Sequence, residues 1–275
     1  HRPHRADCIL ALLRMKTLQQ PMSRRSFLKS ATRILLGTAA VGLGGMAYAT
    51  QVEPGWVQLT RLTLKLPRLA SAFHGMRLVH LSDIHMGGWM TRAHLDEVVQ
   101  TVLALKPDVV AITGDYLTGY EFSQVQENAL ADVSAALQPI TAACTTVGCL
   151  GNHDYWTNDY FVRLMLRQTN IIELSNSFIT LTRGSDQLHL AGVDDIREGQ
   201  DRLDLLLEQL PAQGCAILLA HEPDFADTSS ASGRFDLQLS GHSHGGQVVI
   251  PLIGPLILPH YARRYPSGLY QVGNM

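Results

Sequence analysis

From about Trp56 onward, short apolar runs alternate with stretches of helical periodicity. Met76–Leu81, Val109–Thr113, Thr145–Leu150, Ala216–Ala220 and Leu237–Ser240 are too short and too continuously apolar for amphipathic helices, and read as buried strands. Between them, Ala93–Leu105, Gln124–Leu137, Asn158–Gln168 and Arg202–Leu210 repeat their apolar positions at helical spacing, and Lys106-Pro107-Asp108 stops the first. Ile171–Leu174 and Val248–Ile250 are candidate short strands. Phe178–Thr182 and Leu188–Ala191 flank Arg183-Gly184-Ser185-Asp186 and predict a hairpin. The alternation predicts an α/β fold, a sandwich with a mixed β-sheet flanked by helices. Residues 56–275 form one domain in this reading. Gly268–Val272 reads as a strand and Gly273-Asn274 as a turn that leads to no partner strand, so we expect the natural domain to be truncated here at its C-terminus.

The first fifty residues have a different texture. Paired arginines, Arg24 and Arg25, precede Phe27-Leu28, and a weakly apolar stretch rich in Ala and Gly runs from Ile34 to Tyr48. Ala47-Tyr48-Ala49 fits a small-x-small cleavage site. Residues 22–49 therefore read as a twin-arginine signal peptide, cleaved or kept as an N-terminal anchor, the alternative being an amphipathic helix. The apolar part is about 15 residues, short of the roughly 20 that a spanning helix needs. Residues 1–21 carry no readable organisation and are expected to be an over-extended, unstructured start. The expected destination is the periplasm, the cell wall or the outer face of the plasma membrane, with the Tat machinery as a partner.

Composition narrows the picture a little. Of 275 residues, 46% are hydrophobic, and 22 basic against 24 acidic residues leave nothing like the basic surface that non-specific nucleic-acid binding requires, so no nucleic-acid partner is expected. Setting aside Cys8, the three remaining cysteines, Cys144, Cys149 and Cys215, are an odd number, and two of them lie in apolar runs where a free thiol behaves as a small hydrophobe.

The chemistry lies at the ends of the apolar runs. Five motifs follow in order: Asp83-Ile84-His85, Gly114-Asp115, Gly151-Asn152-His153-Asp154, His221 and Gly241-His242-Ser243-His244. They supply carboxylates, an amide oxygen and five of the twelve imidazoles of the chain, each near the C-terminal end of a strand, where α/β folds place their ligands. Asp83 and His85 are two apart, and in an extended segment both face one side; His242 and His244 repeat that spacing. Mixed oxygen and imidazole donors suit Mn, Fe or Zn better than Ca or Mg. A centrally placed carboxylate can bridge two such ions, an arrangement that activates water against a phosphate ester.

This succession resembles the calcineurin-like metallophosphoesterase superfamily, whose signature is D-x-H, G-D, G-N-H-[DE], a lone H and G-H-x-H. The resemblance covers residues 76–272. With the signal and Gly245-Gly246-Gln247, it is similar to the bacterial exported phosphodiesterase branch, whose members act on the cell wall or on lipid-linked pyrophosphates. The resemblance implies a four-layer α/β/β/α fold and two divalent metal ions. It implies that Asp83, His85 and His244 hold one metal, that Asn152, His221 and His242 hold the other, and that Asp115 bridges them. His153 would face the leaving group, with Asp154 orienting its imidazole. The implied activity is hydrolysis of phosphodiester or pyrophosphate bonds by a metal-bridging hydroxide, on an envelope substrate that is lipid-linked or part of the wall, with the membrane surface as a further partner. The rivals are an exported phosphomonoesterase or nucleotidase with the same metals, and a non-enzymatic wall- or membrane-binding protein. Trp89, Tyr155 and Trp156 beside the motifs line a substrate groove or pack, and Arg263 and Arg264 near Tyr265 meet a phosphate or solvent.

Overall fold

The computed structural model describes residues 22–119, 122–250 and 252–275. The reading of residues 1–21 as an unstructured start lies outside them. The chain divides into two compact units at Leu59/Thr60. In the first, Arg24–Gln51 is one helix, α1, capped by the Ser23 hydroxyl, which accepts from the backbone of Ser26. Its residues are all exposed, and among the described residues no helix is long and apolar enough to cross a membrane.

The second unit is built on two four-stranded sheets. The first contains β1 (Leu78–Leu81), β2 (Val109–Thr113), β3 (Thr145–Cys149) and β4 (Ile172–Glu173), all parallel and side by side in that order. Its crossovers are α2 (Arg92–Ala104), α3 (Gln124–Ala143), and the pair α4 (Asn152–Thr157) and α5 (Asp159–Gln168). The second sheet is mixed. β5 (Ser177–Arg183) and β6 (Asp186–Gly192) form an antiparallel hairpin, and β7 (Cys215–Leu219) and β8 (Leu237–Leu239) continue in parallel after α6 (Leu203–Gln209) and α7 (Ala226–Ala231). A small ribbon of β9 (Val249–Ile250) and β10 (Gly254–Pro255) follows.

Period-two alternation sorts the strand side chains into layers. In β2, Val110 and Ile112 face the core made with α2, α3 and α5, while Val109 and Ala111 face the other sheet. In β7, Cys215, Ile217 and Leu219 join that inter-sheet core, while Ala216 and Leu218 pack on Leu206 of α6 and Phe225 before α7. Three cores separate four layers in the order α/β/β/α. Because both faces of each sheet are covered, the strands read as continuous apolar runs. Cys149 and Cys215 lie in the inter-sheet core, and burial pushes both thiols up, Cys215 to about 12.

Three elements differ from the sequence reading. The helix expected to stop at Leu137 runs to Ala143 through Pro139. An interior proline costs about 3 kcal/mol, but Leu137 and Ile140 are fully buried, each contributing about 1.5–3 kcal/mol, and Pro139 sits on the exposed face. The short helix α4, which begins inside the third motif, was not foreseen. Gly268–Val272 is not a strand; the chain there is irregular, and reciprocal hydrogen bonds between Val272 and Met275 close the expected turn.

Leu188 of β6 is fully buried between the sheets. Leu188→Ala is expected to lower the unfolding free energy by about 2–5 kcal/mol, read as a lower urea midpoint with an unchanged slope.

Candidate metal centre

The register of the sheets brings the ligand-bearing loops to one edge. Pairing of Leu81 with Ile112, and of Thr113 with Cys149, aligns the ends of β1, β2 and β3, and Leu219 paired with Leu239 aligns β7 with β8. The pairing continues past the strands: Asp83 and His85 donate their backbone N–H groups to the carbonyls of Gly114 and Asp115, and Gly241 donates to His221. The expectation that Asp83 with His85, and His242 with His244, converge through extended backbone is corrected. All four, with Asp115, have left-handed backbone, φ between 48° and 63°. Each turn costs energy for a residue with a Cβ, and such strain concentrates at functional sites. Two glycines permit the crowding: a Cβ on Gly151 would fall on the Asp115 carboxylate and the His221 ring, and one on Gly241 on Ser82 and the Asp83 carboxylate.

Ligand atoms of Asp83, His85, Asp115 and His244 lie within 4.8 Å of one another, and so do those of Asp115, His221 and His242. Asp115 belongs to both groups through one atom. Its Oδ2 is 3.4 Å from His85 Nε2 and 3.2 Å from His221 Nε2, while Oδ1 accepts from the backbone N–H of His153 at 2.9 Å. In the first group, Asp83 Oδ1 is 3.4 Å from His244 Nε2 and 3.8 Å from His85 Nε2. That group opens to solvent through His244, while Asp115, His221 and His242 are buried. Burial opposes ionisation of Asp115, but the imidazoles of His221, His85 and His153 hold its carboxyl well below the usual carboxylate range.

The buried imidazoles are oriented from behind, as ligating histidines usually are. His221 Nδ1 lies 2.6 Å from the carbonyl oxygen of Thr113 and donates to it, which leaves Nε2 facing Asp115. His242 Nε2 lies 2.9 Å from the carbonyl oxygen of His260, which leaves Nδ1 facing the site, 3.2 Å from His221 Nε2. Both supporting carbonyls come from residues whose side chains gave no signal in the sequence. Asn152 is buried beside this group, and its Oδ1 has no hydrogen-bond partner among the described residues.

His153 and Asp154 separate in function. The His153 ring meets His85 edge-on at 4.7 Å between centroids and Trp156 at 4.7 Å. Burial lowers its pKa to about 4, so it is a neutral imidazole near pH 7. Asp154 makes its own set of backbone contacts. Its carboxylate is fully buried and accepts from the backbone N–H groups of Asp115, Tyr116, Leu117 and Gly151 at 2.9–3.4 Å. It therefore ties the second and third motifs together. Burial and the neighbouring Asp115 push it up to about 7 against those four donors.

The donors suit divalent cations. The oxygen and imidazole ligands converge, the Asn152 oxygen is orphaned, and among the described residues no lysine or arginine pairs with Asp83, Asp115, Asp154, Asp195 or Glu222. Burying that much negative charge without compensation is costly. Of the flanking residues, Tyr155 bonds to Arg163 through its hydroxyl, Trp156 donates to Glu198, and Trp89 stacks on His94. Arg264 pairs with Asp227, and Arg263 reaches Asp224 through its backbone. Supplying Mn2+ at about 100 times its Kd is expected to add about 2.7 kcal/mol per site, a rise in Tm of roughly 5–11 °C per site for a domain of this size. Chelation should reverse it, and Asp115→Ala should abolish most of it, by differential scanning fluorimetry.

The comparisons agree with this geometry. Residues 76–246 match the model of the calcineurin-like phosphoesterase family. The chain is 32% identical over 256 residues to the uncharacterized metallophosphoesterase YkuE of Bacillus subtilis (strain 168), covering 92% of this chain and 87% of that protein. It is 30% identical over 256 residues to the phosphodiesterase YaeI of Escherichia coli (strain K12), covering 92% and 88%. The UDP-2,3-diacylglucosamine pyrophosphatase LpxG of Chlamydia muridarum (strain MoPn / Nigg) is 26% identical over 254 residues, covering 74% of each chain. With the five motifs gathered at one sheet edge and the family match spanning both sheets, the chain belongs to the calcineurin-like phosphoesterase family.

Proposed function

We propose that this phosphoric ester hydrolase cleaves phosphodiester or pyrophosphate bonds at a centre of two divalent ions, Mn, Fe or Zn, and that its substrates belong to the cell envelope. One observation carries the binuclear reading: a single oxygen, Asp115 Oδ2, stands between two separate ligand groups. Asp83, His85 and His244 hold one ion, and Asn152, His221 and His242 the other. When bound, such ions lower the pKa of a coordinated water and neutralise phosphate oxygens.

The protein's own groups do the rest. Asp115 is kept ionised by the neighbouring imidazoles and aimed by the backbone N–H of His153, and the Thr113 and His260 carbonyls each engage one ring nitrogen of the two buried imidazoles, leaving the other for a metal ion. His153, part-exposed at the open side, faces the departing oxygen. From there its ring N–H can stabilise or protonate the oxygen that departs. A diester or anhydride substrate is supported by the phosphodiesterase and pyrophosphatase relatives. Export is supported by Arg24 and Arg25 at the start of a weakly apolar helix.

With Mn2+, bis-p-nitrophenyl phosphate should turn over faster than p-nitrophenyl phosphate; the opposite order would make this a monoesterase. His153→Ala should keep both ions by elemental analysis yet lose rate by about 10²–10⁴-fold on diesters with poor leaving groups. The loss should shrink as leaving-group pKa falls, so equal losses across an aryl series would remove His153 from the leaving side. Arg24→Lys with Arg25→Lys should leave an active enzyme in the cytoplasm, since those residues lie outside the unit carrying the site. Normal export of the double variant in cell fractionation would end the twin-arginine reading.

A further inference from the structure

The loop after β6 carries an arginine that the chemistry above leaves unused. Residues 193–202 are not a loose connection. Asp195 is fully buried, and its Oδ1 accepts from the backbone of Glu198 at 2.8 Å, while its carbonyl accepts from Gln200. Glu222, next in sequence to His221 and also fully buried, accepts from the backbone N–H groups of Ile196 and Arg197 at 3.3 and 3.2 Å. Asp194 is held by Arg163. The backbone of Arg197 is therefore fixed to the same segment that presents His221.

The side chain of Arg197 is exposed and lies over an aromatic ring. Its guanidinium carbon lies 4.7 Å from the centre of the Trp156 ring, and Trp156 is oriented by donating Nε1–H to Glu198 at 2.8 Å. The Trp156 ring is 4.7 Å from His153, and His153 is 4.7 Å from His85. A ladder of rings thus leads from the metal ligands, past the leaving-group side, to a cation. Six arginines of this unit (Arg68, Arg92, Arg163, Arg183, Arg202 and Arg264) are neutralised by carboxylates. Arg197 has no carboxylate within 4.0 Å among the described residues. A guanidinium seated over an indole can still present N–H groups for bidentate binding of phosphate.

We propose that Arg197, seated on Trp156, binds a second phosphate on the leaving-group side of the substrate, and so selects pyrophosphate diesters over simple phosphodiesters. The proposal rests on the hydrolase reading of the metal centre and on His153 facing the leaving group. In a nucleoside diphosphate sugar, whichever phosphorus water attacks, the bond to the bridging oxygen breaks. That oxygen keeps the electron pair and departs as part of a phosphomonoester. The attacking oxygen remains on the other phosphorus, and the two protons of water pass to products or solvent. The departing group is thus always a phosphate, and Arg197 meets its charge as it forms. A p-nitrophenolate leaving group carries no phosphate for Arg197 to grip.

The test compares UDP-N-acetylglucosamine with bis-p-nitrophenyl phosphate as substrates of the Mn2+-loaded full chain. Arg197→Ala should lower kcat/KM for the diphosphate about 10- to 100-fold, as loss of a charge-assisted phosphate contact does, chiefly through KM. The loss on bis-p-nitrophenyl phosphate should be at least tenfold smaller, and Arg197→Lys should recover part of the diphosphate activity. An unshifted Tm and metal content in both variants would separate this from unfolding. Equal losses on both substrates, or none on the diphosphate, would overturn the proposal. So would a wild-type enzyme that cleaves bis-p-nitrophenyl phosphate but not the diphosphate, with the hydrolase reading left standing. Turnover of neither would instead sink the hydrolase reading itself.

Discussion

The hydrogen bond from His221 to the carbonyl of Thr113 crosses from one sheet to the other, and the metal centre depends on that crossing. Thr113 ends β2 and His221 follows β7 by two residues, so the bond forms only when the apolar faces of the two sheets are packed together. Once formed, it brings His221 Nε2 to the Asp115 carboxylate and leaves that nitrogen as the one available to a metal ion. Neither sheet alone contains a complete ligand group: Asp83, His85, Asp115 and Asn152 follow strands of the first, His221, His242 and His244 follow strands of the second. The inter-sheet core of Val109, Ala111, Val147, Leu188, Leu190 and Ile217 is therefore also what assembles the site.

Left-handed backbone at five ligand positions has the same origin. A strand that simply continued would carry its side chains past the sheet edge, alternately up and down. Turning the chain sharply at Asp83, Asp115 and His242 folds the donors back over the strand ends. Residues with a Cβ resist that conformation, yet glycine, which would adopt it freely, supplies no ligand. The adjacent glycines relieve crowding instead, while Asp154 fastens the turn with four backbone N–H groups.

Much of this was legible in the chain. The strands appeared as apolar runs because both faces of each sheet are covered, and the ligands were marked by carboxylates and imidazoles standing where packing has no use for them. What was hidden depends on tertiary contact. Pro139 reads as a stop, and only the burial of Leu137 and Ile140 carries α3 through it. Asp154 looks like a partner for the adjacent imidazole, and only the fold shows that its carboxylate also accepts from the backbone N–H groups of Gly151 and of the distant residues 115–117. The carbonyls of Thr113 and His260 leave no trace in residue type at all. Arg197 could have been suspected only from an arginine beside paired acids in a loop, a pattern common on solvated surfaces.

Charge gives the centre its final constraint. Burial pushes Asp195 up to about 9, with Glu222 beside it raising it further, and Asp154 to about 7. Both groups are driven toward the neutral form by burial and by a neighbouring carboxylate; the His221 imidazole and their backbone N–H donors oppose this only in part, and no lysine or arginine among the described residues pairs with either. A fold that needed these carboxylates only for packing would do better with amides or aliphatic groups of the same shape. Keeping acids there makes sense if cations of high charge are to be held a few ångströms away. Such cations reverse the balance, favouring ionised carboxylates and neutral imidazoles together. The acidic layer beneath the ligands and the donors above it are then one electrostatic unit, completed by the ions it is shaped to receive.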